Sequence, residues 1–184
     1  MEPIHHMMAH FPIALLFLAL LIILFRAFVD SETSRRIEAA LPLLLVLGFL
    51  GGLAAFITGL LVWPSEAIVS SPMARNKLLV AAWMLGAWGV VTILRLKGGP
   101  KVWKTSGRWS IVIMSLFGGG LLATTGTLGG YLLGTPSRFS VGLKALGWDV
   151  YHTFFSPTWA LITAAVLAVL IILFALSGRK GSAN

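Results

Sequence analysis

Three of the chain's four histidines, His5, His6 and His10, fall in the first ten residues with Met7 and Met8, just ahead of a long apolar run. Imidazole and thioether are the neutral side chains that ligate haem iron and the softer metal ions. The fourth histidine, His152, lies near the other end of the chain. A b-type haem in a membrane bundle needs two axial ligands on opposite sides of the macrocycle. It also needs an apolar slot and cations for its propionates. The candidate axial pairs are His10 with His152, and His5 or His6 with His152; Met7, Met8 and Met73 are weaker alternates. Arg75, Lys77 and Arg138 are the cations available for propionates. A copper or zinc site is a second chemistry. His6 and His10 are four apart and share a face if the stretch is helical, and Met7 and Met8 suit Cu(I). In the plainest reading no cofactor binds, and these are interfacial side chains at a helix end.

Composition decides where such a site would stand. Of 184 residues, 58% are hydrophobic and 11% charged, against about 25% charged in soluble domains; the mean hydropathy is +0.93. This is the composition of an integral membrane protein, and the lipid bilayer is its first partner. With no cysteine, disulfides, iron–sulfur ligation and covalent c-type haem attachment are excluded. The net charge of +8 must sit in loops. There it sets orientation against anionic lipid, so nucleic acid is not an expected partner. Glu2 heads the chain and no small-residue cleavage site follows the first apolar run, so that run is expected to be kept as a helix.

A spanning helix takes about 20 apolar residues, and five segments qualify: 11–28, 40–63, 78–96, 109–133 and 158–176. Pro12 suits a first helical turn and pushes Phe11 towards an extended conformation, which leaves His10 in the lead-in. Ten of the fourteen Lys and Arg follow spans one, three and five; Arg75, Lys77, Arg138 and Lys144 lie on the other side. By the positive-inside rule the N-terminus is outside and the C-terminus cytoplasmic. His152 then shares the outer face with the other three histidines.

The stretch 136–157 alternates aromatic and aliphatic residues with Arg138, Lys144, Asp149 and His152. It reads as an amphipathic segment in the headgroup plane, able to cross the outer mouth of the bundle and bring His152 towards His10. Trp63, Trp103, Trp109, Trp148 and Trp159 sit near span ends, as interfacial anchors do. In span four, Gly126, Gly130 and Gly134 make one row of small residues, and Gly119, Ala123 and Thr127 another. Such rows permit close helix approach or let a flat macrocycle lie against backbone. Helix packing is the preferred reading, with Gly48, Gly51, Gly52, Ala55 and Gly59 of span two as the partner face. The five apolar cores hold no Asp, Glu, Lys or His, which argues against a proton-coupled carrier but leaves a passive transporter open. No nucleophile–base pair or paired carboxylates occur inside the bundle, so no hydrolytic or group-transfer enzyme is expected. Glu66 and Asp149 are loop residues with no visible partner.

The opening His5-His6-Met7-Met8-Ala9-His10-Phe11-Pro12-Ile13 resembles that of a bacterial membrane family called domain of unknown function 2231, which begins with His-Pro and then His-Phe-Pro-Ile. Ile57-Thr58-Gly59-Leu60-Leu61-Val62-Trp63 is similar to the end of its second helix, and Gly126-Thr127-Leu128-Gly129-Gly130-Tyr131-Leu132 to the string closing its fourth. The resemblance covers about residues 1–134. It implies a four-helix membrane module, sometimes joined to cytochrome c-type domains and associated with haem binding or electron transfer. His5 and His10 match the family's two N-terminal histidines. His6 replaces the usual proline, Val62 a usual aspartate, and Arg75-Asn76-Lys77 stands where a further histidine commonly opens the third helix.

The sequence thus predicts an all-α integral membrane protein of the bacterial inner membrane, with five transmembrane helices in one bundle. Residues 1–134 are expected to form a four-helix module, and 135–184 an interfacial segment plus the fifth span. The expected role is electron transfer through a haem b near the periplasmic face, between quinol and a periplasmic cytochrome or other carrier, within a larger complex of membrane subunits. A cofactor-free structural or assembly subunit is the alternative.

Overall fold

The structure is a computed structural model and describes residues 2–132, 134–135, 137–154, 158, 162–163, 166 and 169. All regular structure among them is helical. Four helices are long and apolar enough to cross a membrane: α1 (Glu2–Phe28), α3 (Leu41–Val62), α5 (Pro72–Gly98) and α6 (Gly107–Leu132). Short helices α2 (Glu32–Glu38) and α4 (Ser65–Ser70) and a 3-10 helix (Gly99–Lys104) link them, and α7 (Arg138–Ala145) follows α6. The chain is therefore an all-helical, multi-pass membrane protein. The predicted fifth span lies outside the described residues except for Thr158, Ile162, Thr163, Val166 and Val169.

The long helices run up and down in a closed ring in which α1 packs on α3, α3 on α5, α5 on α6 and α6 on α1. Small residues set the spacing, because without water to drive association, membrane helices cohere by close packing. A Cβ on Gly48 would stand 2.6 Å from Leu16 of α1, on Gly52 3.1 Å from Leu85 of α5, and on Gly119 2.8 Å from Leu20 of α1. Trp88 of α5 is fully buried against Gly118 of α6. The glycine rows of spans two and four thus do not serve each other. Span two presents its glycines to α1 and α5, and α6 meets its neighbouring helices through Gly118 and Gly119, while Gly130 is covered by the Thr135 carbonyl.

Two helix starts differ from expectation. Helix α1 begins at Glu2, not at residue 11, and carries Pro12 in its interior. His5 and His10 are therefore on the helix and not in a lead-in. Proline is tolerated inside membrane helices when neighbouring helices support it. Here the ring of Pro12 rests against the bare backbones of Gly51 and Gly52. Helix α5 begins at Pro72, capped by the Ser71 hydroxyl that accepts from Ala74 N–H, so Asn76 and Lys77 belong to its first turns.

At the end opposite the histidines, Glu38 of α2 and Arg95 of α5 form a buried ion pair, 6% and 5% exposed. Arg95 Nε donates to Glu38 Oε1 at 2.6 Å, and Nη2 contacts the same oxygen. Beside them Arg26 lies over the ring of Trp103, 5.8 Å from its centroid, and bridges to Asp30 at 3.2 Å. Trp103, expected as an interfacial anchor, is instead buried in the main core. The cause is the 3-10 helix, which folds the α5–α6 connection back under the bundle. Trp159 lies outside the described residues.

Candidate functional site: a histidine-lined chamber

At the end where α1 and α5 begin and α3 and α6 finish, the four helices enclose a chamber of about 490 Å³, within the usual range for cofactor pockets of about 300–1,000 Å³. His5 and His10 of α1 line it, with Gly52 and Gly59 of α3, Lys77 of α5 and Thr125 of α6. Part of the α6 wall is bare backbone, since beside Leu122 and Thr125 the chamber is lined by Gly126 and Gly129, where a Cβ would meet nothing within 4 Å. These glycines leave room rather than pack a neighbour.

His5 is the better supported histidine. Its ring sits against Gly59, where a Cβ would stand 2.9 Å from Cε1, and its Nδ1 is 3.2 Å from Thr58 Oγ1. The Thr58 hydroxyl has one proton, and it is directed to the Ala54 and Ala55 carbonyls at 2.9 and 3.1 Å. With its oxygen as the acceptor, the His5 proton would sit on Nδ1 and the lone pair on Nε2, the nitrogen suited to ligation. A hydrogen bond at the other ring nitrogen is the usual way a ligating histidine is oriented. His10 also lines the chamber and is exposed. Both rings come from one helix, about 7.5 Å apart along its axis. They approach any disc in the chamber from the same wall and cannot take its two faces. On the diagonal helix, Met84 of α5 is buried and lines the chamber.

The remaining candidates are elsewhere. His152 does not line the chamber. Its Nδ1 lies 2.9 Å from Asp149 Oδ1, its side chain is 61% exposed, and its ring stands edge-on to Tyr131 and Tyr151. Asp149 therefore has partners that the sequence did not reveal, with Lys144 Nζ also at 3.2 Å. Arg75 stacks on Phe154 at 5.7 Å, and Arg138 is exposed at the start of α7. Met7 is exposed, Met8 is half-buried, and Met73 packs with Leu128, Leu143 and Val150 under the α7 loop. The side chain of His6 lies outside the described part. Among the described residues no group of three or more His, Cys, Asp or Glu is placed to hold a metal ion.

The loop after α7 is tied down by Asn76, whose amide donates to the carbonyls of Val150 at 2.9 Å and Thr153 at 2.8 Å. Within it, partial burial pushes the Asp149 carboxyl up. The His152 and Lys144 contacts outweigh this and hold it below the ordinary aspartate value. A lowered folded-state pKa means a stabilising contribution present above the ordinary aspartate range and lost as pH falls through the folded value. His152→Ala should move the Asp149 pKa up towards 3.8, read from its carboxyl carbon shift in an NMR titration; an unmoved midpoint would remove His152 as a cause.

Thr58, Gly59, Met84 and Gly129 are the lining or supporting residues that sequence reasoning did not assign to a site. Thr58 was visible only within a family likeness, and Gly59 there and as one of the small residues expected to pack against span four. Nothing in the pattern around Met84 separates it from an ordinary core methionine.

The helices thus form an antiparallel four-helix membrane module with a histidine-lined chamber at one end. The model of the family described as predicted membrane protein (DUF2231) matches residues 1–137, and the chain belongs to that family. No curated protein and no solved structure matches the chain.

Proposed function

We propose that the chain is a haem-binding subunit of the bacterial inner membrane, its chamber facing the periplasm, that passes electrons between quinol and a periplasmic carrier within a larger complex. The observation that carries this reading is the chamber itself, a cofactor-sized space with an oriented imidazole on one wall and bare glycine backbone on another. A bound haem would supply reversible one-electron chemistry at its iron. The chain's own residues have separate tasks. Thr58 holds His5 with Nε2 as the ligating nitrogen, and His10 is the alternative from the same helix. Met84 is the side chain on the diagonal helix able to complete a histidine–methionine set. Gly126 and Gly129 admit a flat body, and the leucines and Phe56 around it exclude water.

The purified protein is expected to show a reduced-minus-oxidised haem difference spectrum and a pyridine haemochrome. His5→Ala should lower haem content more than His10→Ala, and His152→Ala should leave it unchanged. Absence of haem from wild-type protein expressed with haem in excess would end the reading. A cofactor-free scaffold or assembly subunit then becomes the better account. It is favoured by one observation: His152 is held by Asp149 and stands outside the chamber.

A further inference from the structure

Lys77 is the only formally charged side chain among the described residues lining the chamber, and no carboxylate lines it with them. Its ammonium faces the ring of Trp63 at 4.9 Å from the centroid, and among the described residues it makes no ion pair. A cation enclosed at membrane level is normally paired or functional. Helix α5 starts at the same end, which adds partial positive charge of the same sign. Much of the remaining lining is apolar, Phe56, Leu60, Ile68 and Leu78 included. A neutral apolar guest would leave the charge uncompensated, and a polar guest would not fill the walls.

We propose that Lys77 anchors the acidic group of an amphipathic ligand, so that the chamber selects a carboxylate carried on a large apolar body. This rests on the preceding section only in taking the chamber as a binding site. Haem, with its propionates, and a long-chain fatty acid share the chemistry.

Purified full-length protein in detergent is titrated with haem and with haem dimethyl ester, and separately with a fluorescent polyene fatty acid and its methyl ester. Wild type should prefer the acid over its ester in at least one pair by about tenfold or more, the size of one charge-assisted hydrogen bond. Lys77→Met should erase that preference by weakening the acid alone, and Lys77→Arg should keep it. A fatty-acid preference that depends on Lys77, with no haem bound, supports the anchor and ends the haem reading. Equal binding of acid and ester by wild type overturns the anchor even if haem binds. So does an equal loss of both in Lys77→Met, or no binding of any probe. The wild-type comparison needs no variant, so it stands even if Lys77→Met fails to fold.

Discussion

Glu38→Leu is expected to destabilise the bundle by about 3–5 kcal/mol, the cost of leaving a buried guanidinium without its counter-charge. Arg95 cannot escape to water, because it is 5% exposed and held between α2 and α5. It cannot shed its proton either, since arginine keeps its charge in proteins. Its remaining option is to displace α2, which turns only Ser34 and Glu38, one helical turn apart, into the protein. Replacing both members, Glu38→Leu with Arg95→Met, should recover most of the loss, because a buried ion pair exchanged for apolar side chains of similar size is often neutral or better. The measurement is the midpoint of unfolding in a mixed-micelle denaturant titration, followed by tryptophan fluorescence. If the single substitution moved the midpoint no more than a surface change of about 0.5 kcal/mol, the pair would be ornamental. The histidine end should be unaffected, as the lock and the chamber occupy opposite ends of the same helices.

That lock was invisible in the sequence for a simple reason. Glu38 lies outside the apolar runs and Arg95 at the very end of one, and hydropathy treats each as a flanking charge regardless of what it meets. The spans themselves were legible because the need to satisfy every backbone amide in lipid forces long apolar runs into helices. Helices α3 and α6 begin and end within two residues of the positions read from sequence. Helices α1 and α5 start earlier than expected, since their first turns are built of His, Met, Arg and Asn, which an apolar count cannot see. The misreading of His10 as a lead-in residue follows from that error. The site was half legible: residue types picked out His5 and His10, whereas the walls facing them depend on which glycines meet a neighbour. Gly118 and Gly126 look alike in the sequence; one abuts Trp88 and the other borders empty space.

That difference supplies the second large effect. Gly126→Leu, alone or with Gly129→Leu, should abolish chamber binding while leaving stability within about 0.5 kcal/mol of wild type, the range of substitutions that disturb no packing. The new side chain enters open space, as neither position offers a Cβ any neighbour within 4 Å. At Gly118 a Cβ would stand 3.0 Å from the indole nitrogen of the fully buried Trp88. Gly118→Leu should therefore cost about 1–3 kcal/mol or more through overpacking, and any loss of binding would follow from loss of fold. The readouts are ligand affinity and unfolding midpoint measured on the same preparations. A Gly126→Leu protein that folds normally and binds normally would show that the chamber is not where the ligand sits, whatever the ligand proves to be. A folded protein unable to bind would place the ligand against the glycines of α6, the helix packed beside the one that carries His5.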